Sequence, residues 1–416
     1  MNREAQLAQT RRRMGTEFVA NQVLGRSQTI GCVAVEITQR CNLDCELCYL
    51  SEHSQQVRDI PIEEVYRRLD AVLSNYGVGT HVQITGGDPT LRKHRELIDI
   101  VCYASDLGLH PALFTNGIAA SRKLLEQLAE VGLCDVAFHV DTTQNRKGYT
   151  SESQLNSIRR DYLDRARGLG LMVIFNTSIH QGNFHELPDL VAFFADHAND
   201  IGLVSLNLQA ETGRGVLGGR TTLINQFSVR SQIEKSAGRQ LPWDTVRIGH
   251  RGCHSYLPTL VANGHIHPVI DDPALAAKAL SDFPDIGSDR HFGRGAIARK
   301  YGRYILSHPD WWWPGLKYLA RQCRSMARDV VLGRGRIHKL TFFIQNFMDA
   351  ENLDEERVHA CSFMVMTDRG PVSMCEHNAK RDDYILRPLK VPTRDGGVVD
   401  YEPLVWRSQS EVTASR

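Results

Sequence analysis

A chain of 416 residues, 42% hydrophobic and 23% charged, has the size of one large domain with an elaboration, or of two modest domains, and its balance excludes wholesale disorder. Forty-nine Lys and Arg against forty-eight Asp and Glu leave a formal charge of +1, so the chain as a whole is not built to bind a polyanion. No apolar run approaches the roughly 18 residues of a membrane span, and the start Met1-Asn2-Arg3-Glu4, followed by Arg11-Arg12-Arg13, has no signal-peptide core. The expected location is cytoplasmic, at most peripheral at the inner face of the membrane.

Residues 1–30 read as an N-terminal segment. From 31 to 222 short β-rich runs alternate with helical patterns. Strands are expected at 33–38, 81–85, 112–114, 135–140, 172–175 and 203–208. Between them, Ile62, Val65, Leu69, Val72 and Leu73 share a helical face, as do Leu97, Ile98, Ile100 and Val101, and further helices are expected near 121–131, 154–168 and 187–198. Six such units predict an α/β fold of parallel strands with right-handed crossovers, an open sheet or a partial (β/α)6 barrel, with chemistry at the carboxyl ends of the strands. Residues 223–289 read as the first part of an extension, irregular over 223–285 with a turn at Asn263-Gly264. Residues 290–340 read as a basic helical insertion: 290–339 hold twelve Lys or Arg against Asp310 and Asp329, an excess of ten positive charges. Residues 341–416 form a C-terminal extension with a second cysteine-bearing stretch.

Ten cysteines in a chain of this length do not make a disulfide scaffold. Cys41, Cys45 and Cys48 follow the first strand at C-x3-C-x2-C spacing, ahead of Tyr49, with no fourth ligand beside them. Thiolates are soft ligands for iron–sulfur clusters or zinc. Structural zinc normally closes with four ligands, whereas three on a four-iron cluster leave one iron open. The second strand ends in Gly86-Gly87-Asp88-Pro89-Thr90 and the third in Thr115-Asn116-Gly117. Glycines permit close backbone approach, and a carboxylate can receive an ammonium group.

Over residues 31–215 these motifs, in this order, resemble the radical S-adenosylmethionine (SAM) superfamily. A zinc knuckle would account for the cysteines but for neither glycine motif. The family usually has Glu where this chain has Asp88, and an aromatic residue where it has Leu47. The resemblance implies that Cys41, Cys45 and Cys48 hold a [4Fe–4S] cluster whose open iron chelates SAM, and that an electron donor such as flavodoxin or ferredoxin drives cleavage to a 5′-deoxyadenosyl radical. It places Tyr49, Gly86, Gly87, Asp88 and Pro89 around the methionine end, and Asn116, His139, Asn176 and Gln209 toward the nucleoside or the substrate. For His139 and Asn176 a hydrogen-bonded barrel-lining role is the plain alternative.

Cys253, ten residues before the Asn263-Gly264 turn, resembles half of a SPASM or twitch auxiliary-cluster extension, with Val269 where a second cysteine would stand. Cys361 and Cys375 flank an Asp-Arg-Gly turn whose hairpin would bring them together. These three are the expected ligands of an auxiliary iron–sulfur cluster, with Cys323, His254, His377 or the substrate as a fourth; small buried hydrophobes are the alternative. Cys32, Cys102 and Cys134 are expected in the core. In the basic insertion Trp311-Trp312-Trp313 precedes a pattern in which Leu316, Leu319, Cys323, Met326 and Val330 share a face beside Lys317, Arg321, Arg324 and Arg328, which suits peripheral contact with a membrane or packing on the core. No nucleic-acid module is evident.

The cluster loop, the Gly-Gly-Asp-Pro-Thr-Leu segment and Glu376-His377-Asn378 after the late cysteine pair are most similar to tetraether-lipid synthases. The leading expectation is therefore hydrogen abstraction from a lipid or other apolar small molecule. Radical modification of a peptide or protein side chain, and a cluster-bearing sensor without turnover, are the alternatives.

Overall fold

The computed structural model describes residues 2–218, 220, 224–283 and 294–404. In chain order the elements are α1 (Arg3–Met14), β1 (Cys32–Thr38), α2 (Ile62–Tyr76), β2 (His81–Gly86), α3 (His94–Asp106), β3 (His110–Thr115), α4 (Arg122–Glu130), β4 (Asp135–His139), α5 (Glu152–Ala166), β5 (Met172–Ile179), α6 (Leu187–Asp196) and β6 (Ile201–Leu208). Then come α7 (Gln226–Ala237), β7 (His254–Ala262), β8 (His265–Pro268), α8 (Pro273–Asp282), α9 (Arg294–Ser307), α10 (Trp312–Leu332), β9 (His338–Gln345), α11 (Glu355–His359), β10 (Phe363–Thr367), β11 (Gly370–Ser373), α12 (Met374–Ala379), α13 (Arg381–Ile385), β12 (Leu389–Pro392) and β13 (Val398–Tyr401).

The six expected βα units form as read. Val65, Leu69 and Val72 of α2 and Leu97, Ile100 and Val101 of α3 are buried against the outward residues of the strands, such as Val33, Val35, Val82 and Ile84. Ser121 and Ser151 accept from Leu124 N and Gln154 N and so fix the starts of α4 and α5.

The wall is larger than six strands. β10 pairs parallel with β1, through Cys32↔Phe363, and β9 pairs parallel with β6, through Ser205↔Phe343. The parallel array is therefore β10-β1-β2-β3-β4-β5-β6-β9, inside a sheet that continues antiparallel into β11 at one edge and into β7-β8 at the other. Parts of the expected extension thus complete the barrel instead of forming a separate unit. The two edges approach through side chains: Phe343 of β9 stacks on Phe363 of β10 with centroids 5.8 Å apart, and the His254 ring lies 5.1 Å from each. Among the described residues no backbone ladder joins β9 to β10.

Residues 224–283 are more ordered than expected. Asn225 and Ser228 form a capping box at α7, and Asn263 and Gly264, both at positive φ, turn the β7–β8 hairpin. The expected boundaries at 222/223 and 289/290, and the last residues 405–416, fall outside the described residues. The N-terminal segment is tied to the late chain. Gln22 exchanges two 2.9 Å hydrogen bonds with the Gly249 backbone, and Arg13 Nη2 donates to Cys361 O.

Cys32 is buried as expected, but Cys102 and Cys134 are only half-buried. Cys102 lies off the packed side of α3, its thiol turned to Asp106, and Cys134 precedes β4 with its thiol on Gly132 O. Among the described residues no helix is long and apolar enough to cross a membrane.

Candidate active site

The cysteine loop leaves β1 and is gripped from three sides by backbone. Gly87 N donates to Thr38 O (2.9 Å) and Asp88 N to Arg40 O (2.8 Å), so the Gly-Gly-Asp segment lies directly on the chain entering Cys41. A Cβ at Gly86 or Gly87 would collide with the Thr38 or Arg40 carbonyl. What these glycines approach is the protein's own chain. On the second side, Cys48 and Gly215 exchange backbone hydrogen bonds, and a Cβ at Gly213 or Gly215 would strike Cys48. Arg214 adds a bond to Leu43 O and an ion pair with Asp44. The Gly213-Arg214-Gly215 bracket escaped the sequence reading; its glycine spacing just past β6 was the available signal. The third grip comes from the loop after β4, where Thr143 O accepts from Glu46 N and Asn145 donates to the Glu46 carboxylate.

That third loop rests on a buried pair. Arg159 and Glu152 are almost without solvent exposure; Arg159 bonds Val140 O at 2.8 Å, and Glu152 takes Thr142 N and Asn183 Nδ2. A buried pair of this kind holds geometry more than it adds stability.

Asp88 is placed differently from the family expectation. Its two oxygens accept from Thr90 N (3.0 Å), Thr90 Oγ1 (2.5 Å), Thr115 Oγ1 (2.9 Å) and Asn116 N (2.9 Å). A carboxylate has about four lone-pair sites, so Asp88 is filled by its own chain, which pins the short turn begun by Pro89 and the end of β3. Asn116 carries the connection onward: Nδ2 donates to Asn42 Oδ1 (2.7 Å) and lies 3.8 Å from Cys41 Sγ. Tyr49 OH donates to Gly86 O at 2.5 Å, and its ring carries the Arg381 guanidinium at 4.6 Å. Arg381 in turn makes 2.8 and 2.9 Å bonds to both oxygens of buried Glu36. Burial pushes the Glu36 carboxyl up, but Arg381 and His377 outweigh it and bring the pKa down to about 2.

Around the cysteines, burial raises the Cys41 and Cys45 thiols above their ordinary range, helped at Cys45 by the nearby Asp141 and by Cys48 and Cys41. Among the described residues no three His, Cys, Asp or Glu side chains converge on one point as they would around a single ion. An iron–sulfur cube binds each thiolate at a different iron, so three half-buried thiols on one loop, within electrostatic reach of one another, fit it.

The remaining predicted residues divide. His139 Nε2 meets Asp141 Oδ2 at 2.6 Å; although burial opposes the charge, Asp141 carries the imidazole pKa above its usual value. Gln209 Nε2 turns to Glu211 Oε1, 3.1 Å away. Asn176, opposite His139 in the β4–β5 register, is 7% exposed, and among the described residues its side chain has no hydrogen-bond partner. It borders a lumen cavity of about 220 Å³ with Gln83, Phe114, Ile174, Ser205 and Phe343, which extends toward the N-terminal ends of the strands. Gln345 Nε2 bonds Ser205 Oγ at 2.7 Å in the same wall, and Arg3, bonded to Ser27 O, is the one Lys, Arg, Asp or Glu among the described lining residues.

Cys253, Cys361 and Cys375 come from three separate segments and meet at the N-terminal end of β10, beside the Phe343–Phe363 seam. Burial pushes Cys253 up to about 11 and Cys375 up to about 12, and Cys361 adds to both shifts. Arg357 Nε donates to Cys253 Sγ (3.3 Å) and Met348 N to Cys375 Sγ (3.5 Å). Of the expected fourth ligands, Cys323 is exposed on α10, and His377 stacks on Tyr384 and faces Glu36. His254 stands next to Cys253, with Nε2 on Ser362 Oγ (2.7 Å) and a buried Nδ1 that has no partner among the described residues.

Residues 35–193 match the Radical SAM superfamily, whose members are enzymes that use a [4Fe–4S] cluster and SAM.

Among characterised proteins the chain is 30% identical over 167 residues to the PqqA peptide cyclase of Bradyrhizobium diazoefficiens, covering 39% of this chain and 43% of the relative. It is 31% identical over 170 residues to that of Methylobacterium nodulans, covering 39% and 42%. The chain thus spans less than half the length of the curated relatives it matches. Among solved structures, Streptococcus suis SuiB aligns with TM-score 0.39 at 17% identity over 50% of this chain and 45% of that one. Methylornithine synthase aligns with TM-score 0.39 at 15% identity over 57% and 69%. The expected likeness to tetraether-lipid synthases is corrected: the relatives are peptide cyclases.

Proposed function

We propose that the enzyme modifies a peptide, abstracting hydrogen from a side chain held in the barrel lumen. The observation that carries this reading is the cavity beside Asn176. Its wall is uncharged apart from Arg3 and titratable imidazoles, and carboxamides and hydroxyls are set among rings and aliphatic side chains. Such a lining recognises a neutral side chain with a polar tip. The core's identity with PqqA peptide cyclases supports the same substrate class.

When bound, the cluster and SAM supply a 5′-deoxyadenosyl radical, which takes one hydrogen atom from a C–H bond. Cys41, Cys45 and Cys48 would hold that cluster. Burial raises the Cys41 and Cys45 thiols above their ordinary range, so cluster loading would release protons. Tyr49 fixes the Gly86 carbonyl, and Gly86 and Gly87 offer backbone groups to the methionine end. Asp88, filled by Thr90, Thr115 and Asn116, orders this cradle and leaves ammonium binding to backbone carbonyls. His139, held by Asp141, presents a proton to the ligand at the carboxyl end of β4, Asn176 offers its free amide to substrate, and Gln209 lines the mouth beyond β6. Cys253, Cys361 and Cys375 hold an auxiliary iron–sulfur cluster, and a flavodoxin or ferredoxin delivers electrons.

The test is label transfer. Reconstituted enzyme, SAM and reductant are incubated without oxygen with the peptide or the lipid fraction of a fully deuterated extract of the native host, and 5′-deoxyadenosine is examined by mass spectrometry. Deuterium arriving from the peptide fraction is expected. Deuterium arriving only from lipid overturns the proposal.

A further inference from the structure

Helix α10 has three longitudinal sectors, and among the described residues only one of them is covered. The inner sector docks on the β7–β8 hairpin: Tyr318 OH donates to Val269 O (2.6 Å), Gln322 Nε2 to Pro268 O (3.2 Å), and Asp329 meets His267 at 2.9 Å. Met326 is buried, and Trp311 donates to Asp282 Oδ2 (2.7 Å) just ahead of the helix. The expected apolar face is therefore split. Met326 is buried at the edge of the docked sector, while Trp312, Leu316, Leu319 and Cys323 follow helical spacing along the sector beside it, with Trp313 and Val331 at its far border, and all six are exposed, Trp313 by 66% and Leu316 by 61%. The third sector, alongside them, carries Lys317, Arg324 and Arg328. Among the described residues no carboxylate pairs with these three, whereas Arg321 next to them is held by Asp271 at 2.8 Å.

We propose that this face of α10 seats the enzyme on an anionic phospholipid surface, with the apolar row entering the head-group layer and the cationic row lying along the phosphates. The inner contacts fix the helix, so the row cannot turn inward to bury itself. A helix of 21 residues runs about 30 Å, and its apolar and cationic rows extend side by side along that length, as an in-plane interfacial helix requires. Two tryptophans at one end, Trp313 beneath the Lys317 ammonium, suit the boundary where rings meet both chains and head groups. A second copy of the chain fits poorly, because pairing the apolar rows would bring unpaired cations together. The proposal does not depend on the substrate reading, since it concerns a surface remote from the cysteine loop in sequence and is read out without turnover.

The test is co-sedimentation of the full-length enzyme with vesicles of phosphatidylcholine alone or mixed with phosphatidylglycerol. Binding is expected only to the mixed vesicles, and to weaken as salt rises. Arg324→Gln with Arg328→Gln lowers partitioning roughly 30-fold, and Trp312→Ala with Trp313→Ala abolishes it, both with unchanged thermal midpoint and 5′-deoxyadenosine formation. The proposal is overturned by equal binding to both vesicle types, by no binding, or by a concentration-dependent dimer that the tryptophan variant loses.

Discussion

The two cysteine trios of this molecule are built in opposite ways. Cys41, Cys45 and Cys48 come from one stretch of eight residues, and their placement is set by backbone: Gly87, Asp88, Thr143 and Gly215 grip the loop and the chain entering it through main-chain hydrogen bonds. Cys253, Cys361 and Cys375 span more than a hundred residues of sequence and meet only because β7, β10 and α12 are brought to one end of the barrel wall. A loop motif carries its own geometry, whereas a dispersed trio depends on the whole wall. The first is sensitive to the three turns that hold it; the second is sensitive to the seam.

The comparison can be broken most severely at Cys45. Cys45→Ala removes core-cluster absorbance and all SAM cleavage, while iron bound by the other trio remains; parallel iron assay and chromatography of 5′-deoxyadenosine check both. Cys375→Ala should do the converse, leaving SAM cleavage but losing product, and unaltered product yield in that variant would remove the auxiliary role. Glu36→Gln severs the buried pair with Arg381 that ties the late chain to Tyr49 of the loop, at a cost of about 3–5 kcal/mol. The pH dependence has a definite sign. The Glu36 carboxyl titrates at about 2 in the fold and near 4.3 when unfolded. Its stabilisation, about 3 kcal/mol, is therefore complete above the unfolded value and lost as pH falls toward 2; urea midpoints at falling pH should show it in the wild type and not in Glu36→Gln. Gly213→Ala forces a Cβ against Cys48 and should destabilise the fold by about 1–3 kcal/mol and loosen only the core cluster, as thermal melts and iron retention would show. Cys323→Ser sharpens the contrast by doing nothing: iron content and melting stay at wild-type values.

How much of this was legible in the sequence follows from the same contrast. β1 to β6, the helices between them and the cysteine loop announce themselves through local periodicity and spacing. The closing strands do not, because β9 joins β6 only after α7 to α10 have intervened, and nothing in His338–Gln345 names its neighbour. Asp88 read as a ligand for an ammonium because sequence shows a carboxylate but not the four donors that fill it. The hydrophobic row of α10 was visible as a row, but whether it faced the hairpin or the solvent depended on which residues the β7–β8 turn could reach. Asn176 was visible only as a polar residue near a strand end; its lack of a partner is a property of the lumen.

The pairing of β1 with β10 has a consequence for synthesis. Cys32 waits for Phe363, so after β2 has formed, one edge of the first strand stays unpaired until about 280 further residues have left the ribosome. At typical elongation rates that is on the order of half a minute. Through that interval the nascent chain presents an apolar strand edge open to mispairing, which makes β1 the place where a chaperone would do most good and where overexpression without one would drive the chain into aggregates.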